Sequence, residues 1–148
     1  NISGGGATSP LPRISSYATS KAAVVRFTET LAQEVIHDGI FVNAVAPGAL
    51  NTRMMDQVLA AGPKIVGSAM HERMVKIAKD GGTPLEIGAS LCAYLASTNI
   101  TTITGRLISA KWDPWQDFEK YGDDIASSDI YTLRRITARE RGRTWETD

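Results

Sequence analysis

Apolar residues recur along the chain at two periods, dividing it into helical and extended segments. From Tyr17 to about His37, Ala22, Val25, Leu31, Val35 and Ile36 return at roughly helical spacing, which predicts an amphipathic helix. Ser16 is placed to cap its start and Gly39 to stop it. Ile40-Phe41-Val42-Asn43-Ala44-Val45-Ala46 is a short, mostly apolar run closed by Pro47-Gly48, as in a parallel strand buried on both faces. From Asn51 to Asp80 the pattern weakens. It predicts one or two helices, around Thr52 to Ala61 and Ser68 to Lys79, joined by Gly62-Pro63 and ended by Gly81-Gly82. Thr83-Pro84-Leu85-Glu86 reads as a helix start, with Thr83 as cap, Pro84 at the first helical position and Glu86 closing a capping box; that helix is expected to reach about Ala96. After Thr104-Gly105, the run Arg106-Leu107-Ile108-Ser109-Ala110 reads as a last short strand.

Flanking segments complete the pattern. Asn1-Ile2-Ser3 reads as the end of a strand entering a turn at Gly4-Gly5-Gly6, and Pro10 and Pro12 exclude helix from the loop before Ser15. Beyond the last strand lies a tail carrying Trp112, Trp115, Phe118, Tyr121 and Trp145. Within it, Asp123 to Asp129 reads as loop, and the Arg-rich end (Arg134, Arg135, Arg139, Arg141, Arg143) as a solvated helix or frayed tail. Helix, tight turn and buried strand in succession make half of a βαβ unit.

Composition narrows the function. With 148 residues, 43% hydrophobic and 22% charged, the chain can bury one core. Sixteen basic residues balance sixteen acidic ones, so no overall field draws nucleic acid or an anionic membrane, and small-molecule partners are favoured. The single cysteine, Cys92, sits in an apolar helical stretch and reads as a buried, inert thiol in a reducing compartment. Histidines 37 and 71 stand far apart without Cys or carboxylates at ligand spacing; they read as surface residues, and no metal site is expected. No apolar run approaches the ~20 residues of a membrane span, so a cytoplasmic location is the expectation.

Tyr17 and Lys21 are four residues apart at the start of the first helix, so their side chains leave the same face one turn apart. A phenol is a poor base at neutral pH, and a neighbouring cation favours its ionised form. Such a pair can pass a proton to or from a substrate oxygen; an exposed helix pair with no role fits the same spacing.

Context decides between them. The stretch Ser16-Tyr17-Ala18-Thr19-Ser20-Lys21-Ala22-Ala23 resembles the active-site helix of the short-chain dehydrogenase/reductase family, as does Val42-Asn43-Ala44-Val45-Ala46-Pro47-Gly48 followed by Thr52 and Met54. The resemblance covers residues 1 to 112 and leaves 113 to 148 as a C-terminal tail. It implies the C-terminal portion of a Rossmann-like, doubly wound α/β fold. It also implies an NAD(P)(H)-dependent oxidoreductase acting on an alcohol or carbonyl, with NAD or NADP as cofactor. By resemblance Tyr17 is the general acid/base, and Tyr17 and Lys21 both belong to the cofactor site, where Lys21 holds the nicotinamide ribose. Pro47, Gly48, Leu50 and Thr52 position the nicotinamide end, Gly48 and Leu50 mainly through backbone. Met54, Met55, Met70 and Met74 fall in the segment that covers substrate in the family. Trp112 and Trp115 are placed to shape that pocket, a subunit contact or the packing of the tail. Pairing through the Tyr-bearing helix implies a homodimer or homotetramer.

Two departures qualify the resemblance. The family's usual serine, thirteen residues before the Tyr, is Gly4 here. Ser3 is its neighbour, on the opposite face of a continuing strand. Backbone N–H groups from Gly4 to Ala7 can instead form an anion-binding nest for a developing oxyanion; a turn that merely needs glycine angles explains the same residues. Second, no Gly-x-x-x-Gly-x-Gly turn follows a first strand, so the pyrophosphate site and about half the sheet are expected in a longer protein. A non-catalytic binding relative, and a lyase or epimerase using the same Tyr and Lys, are the alternative functions.

Overall fold

Strand β1 (Ala44–Ala46) holds the centre of a short parallel sheet. In the computed structural model, which describes residues 1–97 and 102–144, β1 pairs with β2 (Leu107–Ser109), Ala44 opposite Leu107, Val45 opposite Ile108 and Ala46 opposite Ser109. On its other side Val45 forms a parallel bridge with Ile2. There the Ser3 amide donates to Val45 O at 2.8 Å and the Val45 amide to Asn1 O at 2.8 Å. Helix α1 (Ser15–Val35) connects this first segment to β1. Helices α2 (Arg53–Val66), α3 (Ser68–Lys79) and α4 (Leu85–Ser97) connect β1 to β2.

Because side chains alternate along a strand, β1 serves two cores. Ala44 packs with Val25 of α1 and Ala7, and Leu107 and Leu133 lean on that cluster. Val45 and Ile108 pack with Leu91 of α4, Ile103, Trp115 and Phe118. A parallel strand buried on both sides is the doubly wound α/β arrangement.

Several expected boundaries move for identifiable reasons. Only Ala44–Ala46 of the 40–46 run is strand, while Ile40 and Phe41 are exposed. Ahead of β1, side chains replace ladder bonds. Asn43 donates to Ile103 O at 2.9 Å and accepts from the Arg106 amide at 3.0 Å, and the Val42 amide donates to Thr104 Oγ1 at 3.0 Å. Helix α1 starts one residue before Ser16, with Ile14 at the cap and no capping side chain. It ends as expected: a 3-10 turn (Ile36–Asp38) runs into Gly39 at φ 73. Its buried positions are Val25, Thr28, Glu29 and Ala32, a narrower and more polar stripe than the one expected. Thr28 is satisfied by donating to Val24 O and accepting from Asn1 Nδ2, each at 2.8 Å. Cys92 is exposed, not buried, because α4 turns Gly88 and Leu91 to the sheet and Cys92 the other way. His37 is exposed and His71 half-buried.

The tail is part of this domain's core. Residues 123–126 belong to helix α5 (Phe118–Ala126), not to a loop, because Phe118, Gly122 and Ile125 form one buried stripe whose contacts outweigh the local Asp-rich sequence. Trp115 is buried beside Tyr94, with ring centroids 5.5 Å apart, and donates from Nε1 to Ala110 O at 2.9 Å. Trp112 is 76% exposed with the Lys111 ammonium 4.6 Å from its ring centre. Trp145 lies outside the described residues.

The tail also closes the outer edge of β2. The Leu107 amide donates to Tyr131 O at 2.8 Å and the Ser109 amide to Asp113 Oδ2 at 2.7 Å. Burial pushes the Asp113 carboxyl above its usual range, partly offset by that amide. Buried Arg106 donates from Nη1 to Ser128 O and Ile130 O at 3.0 and 2.9 Å. Buried Glu29 accepts from the Leu133 amide at 2.5 Å. The segment around residues 131–133 is therefore docked rather than frayed, while the Arg-rich end past it is exposed and ends in a 3-10 turn (Arg139–Arg141). Among the described residues no helix is long and apolar enough to cross a membrane.

Phe118 is 1% exposed at the centre of the larger core. Phe118→Ala is expected to cost about 3–5 kcal/mol, read as a lowered denaturation midpoint in the full-length protein. A loss below ~1 kcal/mol would mean the tail is not part of the cooperative unit.

Candidate active site

Two neighbouring parallel strands end side by side, and the loops leaving them carry the residues singled out from the sequence. The first is the 1–3 segment, which leads into Gly4 and a 3-10 turn (Gly5–Ala7). The second is β1, which leads into Pro47. In open α/β sheets this carboxyl end of the strands is where ligands bind.

Tyr17 lies half-buried in the first turn of α1. Gly4 has extended backbone, and a Cβ built on it would lie 2.7 Å from Tyr17 Oη. The position of the usual serine thus faces the phenol oxygen. Lys21 follows one turn later, its Nζ 5.8 Å from the Tyr17 ring centre, and donates to Ile2 O at 3.1 Å. Ser3 is buried and donates from Oγ to Lys21 O at 3.2 Å, so its hydroxyl is committed to the backbone of α1.

The glycine turn is set by contact and not by glycine-only angles, the alternative explanation: none of Gly4, Gly5 and Gly6 lies in the left-handed region. A Cβ on Gly6 would meet Ala18 Cα at 3.0 Å, so glycine here lets the turn lie on α1. The Ala7 amide donates to Gly4 O at 3.0 Å and is spent, which limits an oxyanion nest to the amides of Gly4 to Gly6.

Pro47 to Thr52 is held from below by the start of α4. Gly48, at φ 97, lies where a Cβ would meet Thr83 Oγ1 at 2.6 Å, and a Cβ on Gly88 would meet Pro47 Cβ at 3.0 Å. The Thr83 amide donates to Ala49 O at 2.8 Å. Thr83 therefore supports this loop, and its side chain makes no capping bond to α4, which begins at Leu85. Spacing alone gave no sign of this role, since Thr83-Pro84 already had a local explanation. Thr52 precedes α2 and receives the Met55 amide on its carbonyl at 2.8 Å, while its hydroxyl makes no capping bond. Among the described residues the backbone groups of Gly48 and Leu50 also have no hydrogen-bond partner. Met55 is buried, Met54 exposed, and Met70 and Met74 half-buried. Among the described residues no cluster of His, Cys, Asp or Glu could hold a metal ion.

Residues 1–110 match a family described as enoyl-(acyl carrier protein) reductase. The chain belongs to the short-chain dehydrogenase/reductase family. It is 40% identical over 96 residues to 3beta-hydroxysteroid dehydrogenase 1 of Eggerthella lenta, covering 65% of this chain and 35% of that one. It is 37% identical over 101 residues to L-2,3-butanediol dehydrogenase of Corynebacterium glutamicum, covering 66% and 39%. Its fold is similar to that of YwfH, an NADPH-dependent reductase involved in bacilysin biosynthesis, with TM-score 0.59 and 26% identity over 74% of this chain and 43% of that one. The chain thus spans well under half the length of these short-chain dehydrogenase/reductase relatives.

On the loop leaving β1, the Thr52 hydroxyl and the backbone groups of Gly48 and Leu50 are thus left without hydrogen-bond partners among the described residues. Gly48 is the most constrained of them. Gly48→Ala is expected to cost about 1–3 kcal/mol, from its left-handed backbone and the collision with Thr83. Thr83→Ala in the same chain should return part of that loss in thermal unfolding. Strictly additive effects would show that Thr83 is not the obstacle.

Proposed function

We propose that the full-length protein interconverts an alcohol and a carbonyl with NAD or NADP, using Tyr17 as general acid/base. The observation that carries this reading is the Tyr17 hydroxyl facing Gly4 at one strand end, with Lys21 a turn away and the Pro47–Thr52 loop leaving the adjacent strand end. Membership of an oxidoreductase family supports it, as do relatives named as a hydroxysteroid and a butanediol dehydrogenase.

In the reducing direction Tyr17 Oη gives its proton to the carbonyl oxygen as the carbon is reduced; in the oxidising direction it takes the proton from the alcohol. Lys21 holds the nicotinamide ribose and puts positive charge beside the phenolate that forms. Pro47, Gly48, Leu50 and Thr52 orient the nicotinamide ring, Gly48 and Leu50 through backbone groups and Thr52 through its hydroxyl. When bound, the nicotinamide supplies or accepts the hydride. With glycine at position 4, the substrate oxygen is held by the amides of Gly4 to Gly6 in place of a serine hydroxyl.

The substrate class is a small alcohol or carbonyl compound, and a sugar, a polyol or an acyl ketone fits this chemistry. Phe27, exposed on α1, supports pairing through this helix as a homodimer or homotetramer, and a cytoplasmic location accords with the chemistry.

Nicotinamide absorbance followed against a panel of alcohols and ketones tests the reading in the full-length protein. Tyr17→Phe is expected to lower kcat by about 10²-fold or more with cofactor affinity retained; undiminished turnover in that variant would overturn it. Gly4→Ser probes the amides: a large rise in turnover would show that a missing hydroxyl, not a backbone nest, limits the enzyme.

A further inference from the structure

The loop between the glycine turn and Tyr17 reaches across to a separate pair of helices. Arg13 donates from Nη1 to Lys64 O at 3.0 Å, and its Cδ lies 3.2 Å from where a Cβ on Gly67 would stand. Lys64 and Gly67 belong to the elbow between α2 and α3. Gly62 (φ 74, ψ 169) breaks the helical path just before it, and Gly67 (φ 87, ψ 144) divides the two helices.

Helices α2 and α3 form a flap. They pack on each other, and they bury little against the rest of the chain: α2 has Met55 and Val66 buried and α3 no residue, while Met54, Ile65 and Val75 are exposed. Such an element sits at the low end of local stability. Both its ends meet at one place, where Ala49 and Asn51 lie against Gly82 and Thr83. Its elbow lies at the loop four residues before Tyr17. The flap therefore runs between the loop after β1 and the loop that precedes Tyr17.

We propose that Arg13 is a positioning residue, a latch whose bond to the carbonyl of Lys64 holds the flap elbow to the catalytic loop and sets how far the flap stays closed. Three features of the contact support a switchable latch. A charged guanidinium makes a stronger hydrogen bond to a backbone carbonyl than a neutral donor does. Glycine at 67 leaves room for the arginine stem. And Arg13 holds a left-handed backbone, φ 69, an angle that persists for a side-chain-bearing residue only when its surroundings require it. The bond is exposed, so it biases the flap without locking it. The flap's effect on turnover rests on the oxidoreductase reading above; the latch itself does not.

Hydrogen exchange by mass spectrometry on the full-length protein tests the latch without reference to activity. In Arg13→Ala, amides of residues 53–79 are expected to exchange about tenfold faster, the equilibrium weight of one hydrogen bond from a charged donor, with α1 and the sheet unchanged. Arg13→Gly, which favours the left-handed backbone, should do the same, and Arg13→Lys should restore part of the protection. Unchanged exchange of the flap in both the Ala and Gly variants, or equal acceleration over α1 and the sheet, would overturn the proposal. With a substrate that the wild type turns over, Arg13→Ala should raise KM several-fold more than it changes kcat. Absence of nicotinamide-dependent turnover in the wild type would refute the oxidoreductase reading while the exchange result still decides the latch.

Discussion

Pairing of Val45 with its two neighbours is the constraint from which the rest of the molecule follows. Its amide and carbonyl bind the 1–3 segment, and it stands opposite Ile108 of β2. One register thereby fixes which strand ends lie side by side. Slipping it by one residue would exchange Ala44 and Val45 between the two cores, and those cores differ in size: Val25 and Ala7 on one face, Leu91, Trp115 and Phe118 on the other. The small side chain of Ala44 faces α1 and the larger one of Val45 faces α4. Packing thus enforces the register, and the register places Gly4 next to Pro47.

The tail extends the same logic to the sheet's outer side. An edge strand offers unpaired amides that invite association. In β2 the outward amides of Leu107 and Ser109 are taken by the Tyr131 carbonyl and the Asp113 carboxylate. Arg106 and Glu29 bring the tail into place by binding its backbone rather than its side chains. Burial pulls the Arg106 guanidinium below its usual range while Glu29 and Asp129 oppose that shift. Here the three carbonyls it reaches, of Ala126, Ser128 and Ile130, stand in for water.

What could be read from the sequence was whatever one local pattern determines. The spacing of Tyr17 and Lys21, the stop at Gly39 and the apolar Ala44-Val45 pair each follow from a few neighbouring residues, and the structure places them so. The misplaced features depend on distant partners. Residues 123–126 look like loop until Phe118 and Ile125 meet Leu91 and Ile108. Glu29 looks like a solvated helix residue until the Leu133 amide arrives from 104 positions away. Thr83 looks like a cap because nothing in its neighbourhood announces Gly48. Cys92 looks buried because apolar neighbours in sequence are not neighbours in space on a helix. In the site the same division holds: the spacing that puts Tyr17 and Lys21 on one helix face was legible, and the support of the Pro47–Thr52 loop by Gly82, Thr83 and Gly88 was not.

Gly4 and the placement of Tyr17 are a single feature. A Cβ at position 4 would come within 2.7 Å of the phenol oxygen, closer than ordinary contact allows, so with Tyr17 in this position any other side chain there must displace the hydroxyl. Gly4 backbone is extended, at φ 179, an angle open to every residue, so glycine is not required by conformation. The requirement comes from space. With no side chain at position 4, the Tyr17 hydroxyl can stand where it would otherwise collide with a Cβ. A side chain introduced at position 4 therefore changes where the Tyr17 hydroxyl stands, whatever group it carries.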